Sequence, residues 1–186
     1  MRSQIILLGL LCNMFGQAKA QTHQTIDLDY LNNQSWQVIN DGVMGGLSRG
    51  KVSAKSDNLH FFGQISTANN GGFSSAYFPY STQSFYDAVR IKAKGDGKTY
   101  QIRLIKNING YRVAYKTSFS TQKDKVQTHT MKLSDFKASF RGRIITSAPP
   151  VYSNEIEQVG FLVTHKTNAD FSLNVYQVEF GDFIDE

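Results

Sequence analysis

The chain has 186 residues, with 20 Lys and Arg against 15 Asp and Glu, and a single cysteine. That length is enough to bury a sizeable core. The mild positive balance comes without any block of like charges, so composition does not point to nucleic acid, and one cysteine excludes a disulfide framework or a Cys-ligated metal site.

The first twenty residues read as a leader. Arg2 supplies a positive start, Ile5 to Leu11 an apolar run, and Ala18-Lys19-Ala20 a small-residue cleavage site before Gln21. These are the three parts of a secretory signal peptide, too short to span a bilayer. The expected organisation is a signal peptide over 1–20 and one domain over 21–186, periplasmic or secreted after cleavage near Ala20. Cys12 would leave with the leader, and Leu11 is not the small residue that precedes a lipidated cysteine. The mature chain would then lack thiols and rely on core packing. No second apolar run is long enough for a transmembrane segment.

Beyond the leader the sequence reads as all-β. Period-two alternation recurs, three prolines occur in the whole chain, and sustained helical periodicity is missing. In chain order the expected strands are 25–29, 51–56, 59–66, 73–78, 88–94, 100–106, 111–120, 126–133, 156–165 and 171–180. Single helical turns are expected at Ser134-Asp135-Phe136 and Ser153-Asn154-Glu155-Ile156. Gly95-Asp96-Gly97-Lys98 and Asn109-Gly110 supply the positive φ of tight turns, so strands 88–94, 100–106 and 111–120 are expected to form a meander. One face would carry Val89, Ile91, Ala93, Ile102, Leu104, Val113 and Tyr115. The other would carry Arg90, Lys92, Lys94, Arg103, Arg112 and Lys116, as a solvent side or as a dock for an acidic partner or anionic glycan. About ten short strands separated by turns predict a β-sandwich.

The densest local signal is Trp36-Gln37-Val38-Ile39-Asn40-Asp41-Gly42-Val43-Met44-Gly45-Gly46-Leu47-Ser48-Arg49-Gly50. So many glycines fix an unusual backbone path. One reading is structural: Trp36 and Met44 pack beneath the loop while Asn40 and Asp41 cap backbone amides. The other is a binding loop on a rigid scaffold. Gly45-x-x-x-x-Gly50-Lys51 only approaches a phosphate-binding loop, because Val52 stands where Ser or Thr would hold Mg²⁺ and a strand follows.

Several blocks together carry a resemblance. Trp36 with Asn40 to Ser48, then Phe62 to Ser66 with Asn69-Asn70-Gly71-Gly72-Phe73-Ser74-Ser75, then Tyr86 to Ile91 with Gly95 to Lys98, then Asp135-Phe136, Phe140 to Arg143 and Ala148-Pro149-Pro150 resemble the complex I intermediate-associated protein 30 family in the family's order. The resemblance implies a jelly-roll β-sandwich of the galactose-binding-domain-like kind and a non-catalytic role. Mitochondrial members of that family help to assemble respiratory complex I. This chain carries an export signal and has Ser75-Ala76-Tyr77 where the resemblance implies Ser-Val-Arg, so the assembly role transfers poorly.

The expected contact residues are Trp36, Asn40, Asp41, Met44, Asn69, Asn70, Arg141 and Arg143. The two arginines of Arg141-Gly142-Arg143 could each grip a carboxylate or phosphate bidentately, or make ordinary surface salt bridges. The expected function is an exported, non-catalytic binding module contacting a protein or a membrane-associated assembly. A carbohydrate-binding module is the alternative, with Tyr77, Tyr80 or Tyr111 exposed beside Asn and Asp. A hydrolase built on Asp135, Glu155 and Glu157 ranks last. His23, His60, His129 and His165 make no zinc motif, no cofactor is expected, and no carboxylate-dense loop demands calcium. Asn33-Gln34-Ser35 is a formal glycosylation sequon.

Overall fold

The computed structural model describes residues 23–28, 35–55 and 58–183, without the side chains of Val43 and Met44. The leader and most of the sequon lie outside the described residues. The strands are β1 (His23–Thr25), β2 (Gln37–Asn40), β3 (Arg49–Lys55), β4 (Asn58–Ile65), β5 (Phe73–Pro79), β6 (Ala88–Lys94) and β7 (Thr99–Ile108). They continue as β8 (Tyr111–Ser120), β9 (Val126–Lys132), β10 (Lys137–Phe140), β11 (Arg143–Ile144), β12 (Gln158–Thr164) and β13 (Ala169–Gly181). Single 3₁₀ turns at Leu133–Asp135 and Ser153–Glu155 agree with the two expected helical turns.

The strands form two antiparallel sheets. One has the order β3-β4-β13-β6-β9, with β1 also pairing β13; the other has the order β11-β10-β8-β7-β12-β5-β2. Consecutive strands repeatedly change sheets, which makes the molecule a jelly-roll sandwich. Every second residue of a strand faces inward. Phe61, Phe78, Tyr100, Tyr115, Phe161 and Phe180 fill the space between the layers and are almost fully buried. Each such side chain contributes roughly 1.5–3 kcal/mol by leaving water.

The expected meander is corrected here. β7 and β8 pair along their full length, but β6 pairs β9 and β13 in the opposite sheet. Gly95 to Lys98 is therefore a crossing between layers. Asp96 anchors it, accepting hydrogen bonds from Lys98 N, Lys98 Nζ, the Tyr100 hydroxyl and Ser172 N at 2.8–3.2 Å. The two apolar sets do meet, but across the core. The cationic set is split: Arg90, Lys92 and Lys94 lie outside one sheet, Arg103, Arg112 and Lys116 outside the other. β2, β10 and β11 are not among the expected strands, and β1 begins two residues before the first of them.

Candidate functional site

The glycine-rich segment folds around its own Asn-Asp pair. After β2 the backbone makes a 3₁₀ turn over Asp41–Met44 and leaves it through Gly45 at φ +87°. This returns Ser48 to Asp41. The Asp41 carboxylate, 1% exposed, accepts hydrogen bonds from Ser48 N (2.9 Å), the Ser48 hydroxyl, Gly72 N (2.6 Å) and Phe73 N (3.3 Å). Burial pushes this carboxyl up, but the hydrogen bonds to its charged form outweigh burial and hold it below the ordinary 3.8. Asn40 Oδ1 accepts from Gly50 N (2.9 Å) and the Ser74 hydroxyl (2.7 Å).

The nearby glycines make room for these groups. A Cβ on Gly46 would lie 2.4 Å from Asp41 Cγ, one on Gly71 2.5 Å from Asp41 Oδ2, and one on Gly50 1.8 Å from Ser74 Oγ. Asn40 and Asp41 thus staple the loop to the start of β5 and offer no free acceptors. Trp36 packs against Phe78 with ring centroids 4.6 Å apart and joins the core. Three of the eight expected contact residues are used by the fold. The Met44 side chain lies outside the described residues. Asn69, at φ +55°, donates to Gly45 O at 3.0 Å, and it and Asn70 are exposed.

Arg141 and Arg143 flank the other edge of the seven-stranded sheet. Arg141 (φ +49°) and Gly142 (φ +83°) form the two-residue turn between β10 and β11. The Arg141 guanidinium sits over the Phe140 ring at 5.2 Å, and Phe140 meets Tyr111 edge-on at 5.7 Å. β11 and β2 end opposite sides of the sheet, six strand spacings or roughly 28 Å apart. The expected contact residues therefore do not form one surface. Of the three tyrosines, only Tyr111 is exposed, at 62%; Tyr77 and Tyr80 are buried.

A second candidate site lies on the outer face of the seven-stranded sheet. Register places Lys137, Lys116, Arg103, Gly160, Tyr77 and Gln37 side by side on β10, β8, β7, β12, β5 and β2. The parallel row holds Ser118, Gln101, Leu162, Ser75 and Ile39. Tyr77 lies against bare Gly160, where a Cβ would come 2.3 Å from its ring. Arg103 donates to the Tyr77 hydroxyl (3.2 Å), and Arg112 covers the ring at 4.5 Å while gripping Gln158 Oε1 through Nε and Nη2. Among the described residues, Gln101 Oε1 and Arg103 Nε are buried without a partner, as are Trp36 Nε1, the Tyr80 hydroxyl and His129 Nε2 away from this face. Burial, and then the Arg103 guanidinium, lower the Lys116 ammonium below its ordinary value. The alternation of Arg103, Arg112 and Lys116 was visible in the sequence; their joining with Lys137, Gln101 and Tyr77 depends on strand order.

The remaining acids are dispersed or engaged. Glu155 pairs with Lys106, Asp96 with Lys98, and among the described residues no group of three His, Cys, Asp or Glu side chains could hold a metal ion. His129 sits half-buried beside Phe119, and burial lowers its imidazole pKa. An open cavity of about 600 Å³ lies at one end of the sandwich, lined by Tyr86, Val151, Tyr152 and Phe183 among others. Among the described residues no helix is long and apolar enough to cross a membrane.

A family model described as complex I intermediate-associated protein 30 matches residues 22–175. No curated protein matches the chain. Among solved structures, a family 11 carbohydrate-binding module from Clostridium thermocellum in complex with a β-1,3-1,4-mixed-linked tetrasaccharide is similar at TM-score 0.64 and 12% identity, over 88% of this chain and 98% of that one. The same family's module from the cellulosomal cellulase Lic26A-Cel5E of that organism aligns at TM-score 0.65 and 12% identity, over 90% and 98%. An exo-β-agarase aligns at TM-score 0.55 and 11% identity, over 87% of this chain and 25% of that longer one. At these identities the likeness concerns the fold.

Proposed function

Since this chain belongs to the complex I intermediate-associated protein 30 family and folds as a jelly-roll sandwich, we propose that it is a non-catalytic binding module that holds a glycan chain across the outer face of its seven-stranded sheet. The observation that carries this is the make-up of that face. Small residues at Ser75, Ala114, Ser139 and Gly160 form a buried floor, and long polar side chains at Gln101, Arg103, Lys116 and Gln158 stand among them. Such a strip leaves room for sugar rings and offers amide and guanidinium donors to their hydroxyls. The unpartnered Gln101 Oε1 and Arg103 Nε support it, because buried polar atoms in native proteins are almost always matched. The similar fold of a module solved with a tetrasaccharide supports it as an analogy. Export with cleavage near Ala20, as a single domain from residue 21, belongs to the same proposal.

A protein partner is the second reading, and a different place favours it. Tyr111 and Ile144, 62% and 49% exposed, stand near Arg141 and Arg143 at the short β11 edge. An apolar, arginine-bearing edge suits protein contact. A glycan array probed with the tagged chain separates the two. Glycan binding that Arg103→Ala weakens and Arg141→Ala/Arg143→Ala spares supports the first reading. No glycan binding, with a protein captured from envelope extract and lost in the double variant, supports the second.

A further inference from the structure

The seven strands of that sheet contain no aspartate or glutamate at all, yet they carry Arg103, Lys106, Arg112, Lys116, Lys137 and Arg143. Lys106 is matched by Glu155. Among the described residues no acid pairs with Lys137, Lys116 or Arg103, and register sets them directly opposite one another on three adjacent strands. Like charges in that relation destabilise a sheet. The other sheet spaces its cations differently: Arg90 stands opposite Glu179 and Thr130, Lys92 opposite Gln177 and Thr128, and Lys94 opposite Asn174 and Val126. The molecule therefore sets cations directly opposite one another on one outer face and keeps them apart on the other.

Building on the glycan reading above, we propose that the face takes a negatively charged polysaccharide, with carboxylate or sulfate groups along its chain meeting the row Arg103, Lys116 and Lys137. The row runs across the strands with one cation per strand spacing, about 4.8 Å. That is close to the advance of one sugar residue along an extended chain. Arg103 is held from behind by the Tyr77 hydroxyl, so its guanidinium is oriented before any ligand arrives. An acidic protein suits the face less well, because protein interfaces centre on aromatic and apolar residues. Here the apolar members at the centre of the face, Tyr77, Ile105 and Leu162, are buried, Ile39 is half-buried, and the exposed Ile144 stands only at the β11 edge. Single-stranded nucleic acid needs exposed aromatic platforms, and Tyr77 is only 2% exposed.

The test is retardation of the full chain in native gels carrying polygalacturonate, a sulfated galactan, neutral mixed-linkage β-glucan, polyglutamate or single-stranded DNA, at low and raised salt. Lys116→Gln/Lys137→Gln and Arg103→Gln are run beside wild type, with Lys92→Gln on the opposite sheet as control and thermal melting as a check on folding. The proposal expects retardation by the uronate, the sulfated polymer or both, weakened by salt. It expects a loss of about tenfold or more in the double variant and none in Lys92→Gln. The melting temperature of the double variant should hold or rise, because like charges are removed. The uronate and sulfate arms identify which anion is read. Equal retardation by neutral glucan overturns the charge requirement but keeps the glycan reading. Retardation by polyglutamate or DNA as strong as by the charged glycans overturns the ligand class. Charged-glycan binding untouched by the variants overturns the site, and no retardation in any gel overturns both readings.

Discussion

Asp41 shows how a residue that looks like a ligand can belong to the backbone. A carboxylate in a glycine-rich loop offers oxygen atoms to any cation or hydroxyl, and the sequence does not distinguish that use from capping. Burial and four donors decide for capping. Asp41→Asn keeps the shape but turns an NH₂ group toward Gly72 N or Ser48, donor against donor. The variant should lose about 2–3 kcal/mol in denaturant unfolding. The sign of the pH effect follows from the depressed carboxyl. Its stabilisation is fully present above the unfolded value near 3.9 and lost as pH falls through the lower folded value. Wild type should therefore weaken on acidification below about pH 4, and Asp41→Asn should lose Asp41's share of that limb while keeping the share of Asp96, whose hydrogen-bonded carboxyl is also depressed. Gly160→Ala is the matching residue-scale test on the outer face. A methyl 2.3 Å from the Tyr77 ring and 2.4 Å from Ala76 O must displace β12 or the tyrosine, at a cost of about 2 kcal/mol or more in unfolding measurements.

At the scale of elements, alternation made the long strands legible. β6 and β8 have the bounds their patterns predict, because each has a wet face and a dry face. The pattern could not say which strands pair. Asp-Gly signals a tight turn whether the chain stays in its sheet or changes layer, and Asp96 uses the turn to reach Tyr100 and Ser172. The short strands escaped because β11 has two residues and β2 four, too few for a period. The β10–β11 turn carries its own prediction. Both central residues have positive φ, a geometry for which Asn-Gly is a preferred pair. Arg141→Asn should leave stability unchanged or raise it by up to about 1 kcal/mol in urea unfolding. If so, the arginine is not there for the turn.

At the scale of the molecule, family and sandwich were readable from blocks spread along the chain, whereas the candidate site was not. Its members come from β5, β7, β8, β10 and β12, and only the sheet order brings Lys137 beside Lys116 and Tyr77 against Gly160. Conversely, motifs expected to share one contact surface lie apart, with the Trp36–Gly50 loop and Arg141/Arg143 at opposite edges. The absence of acids from one sheet is a property of the sequence, but it becomes visible only once the strands are sorted into layers. The most direct test is an amide chemical-shift titration of the chain with a soluble, negatively charged oligosaccharide. Saturable shifts confined to β5, β7, β8, β10 and β12, including Arg103, Lys116 and Gly160, are the predicted result. Shifts centred on the Asp41–Gly50 loop or on the cavity beside Tyr152 and Phe183, with those strands silent, would contradict the account.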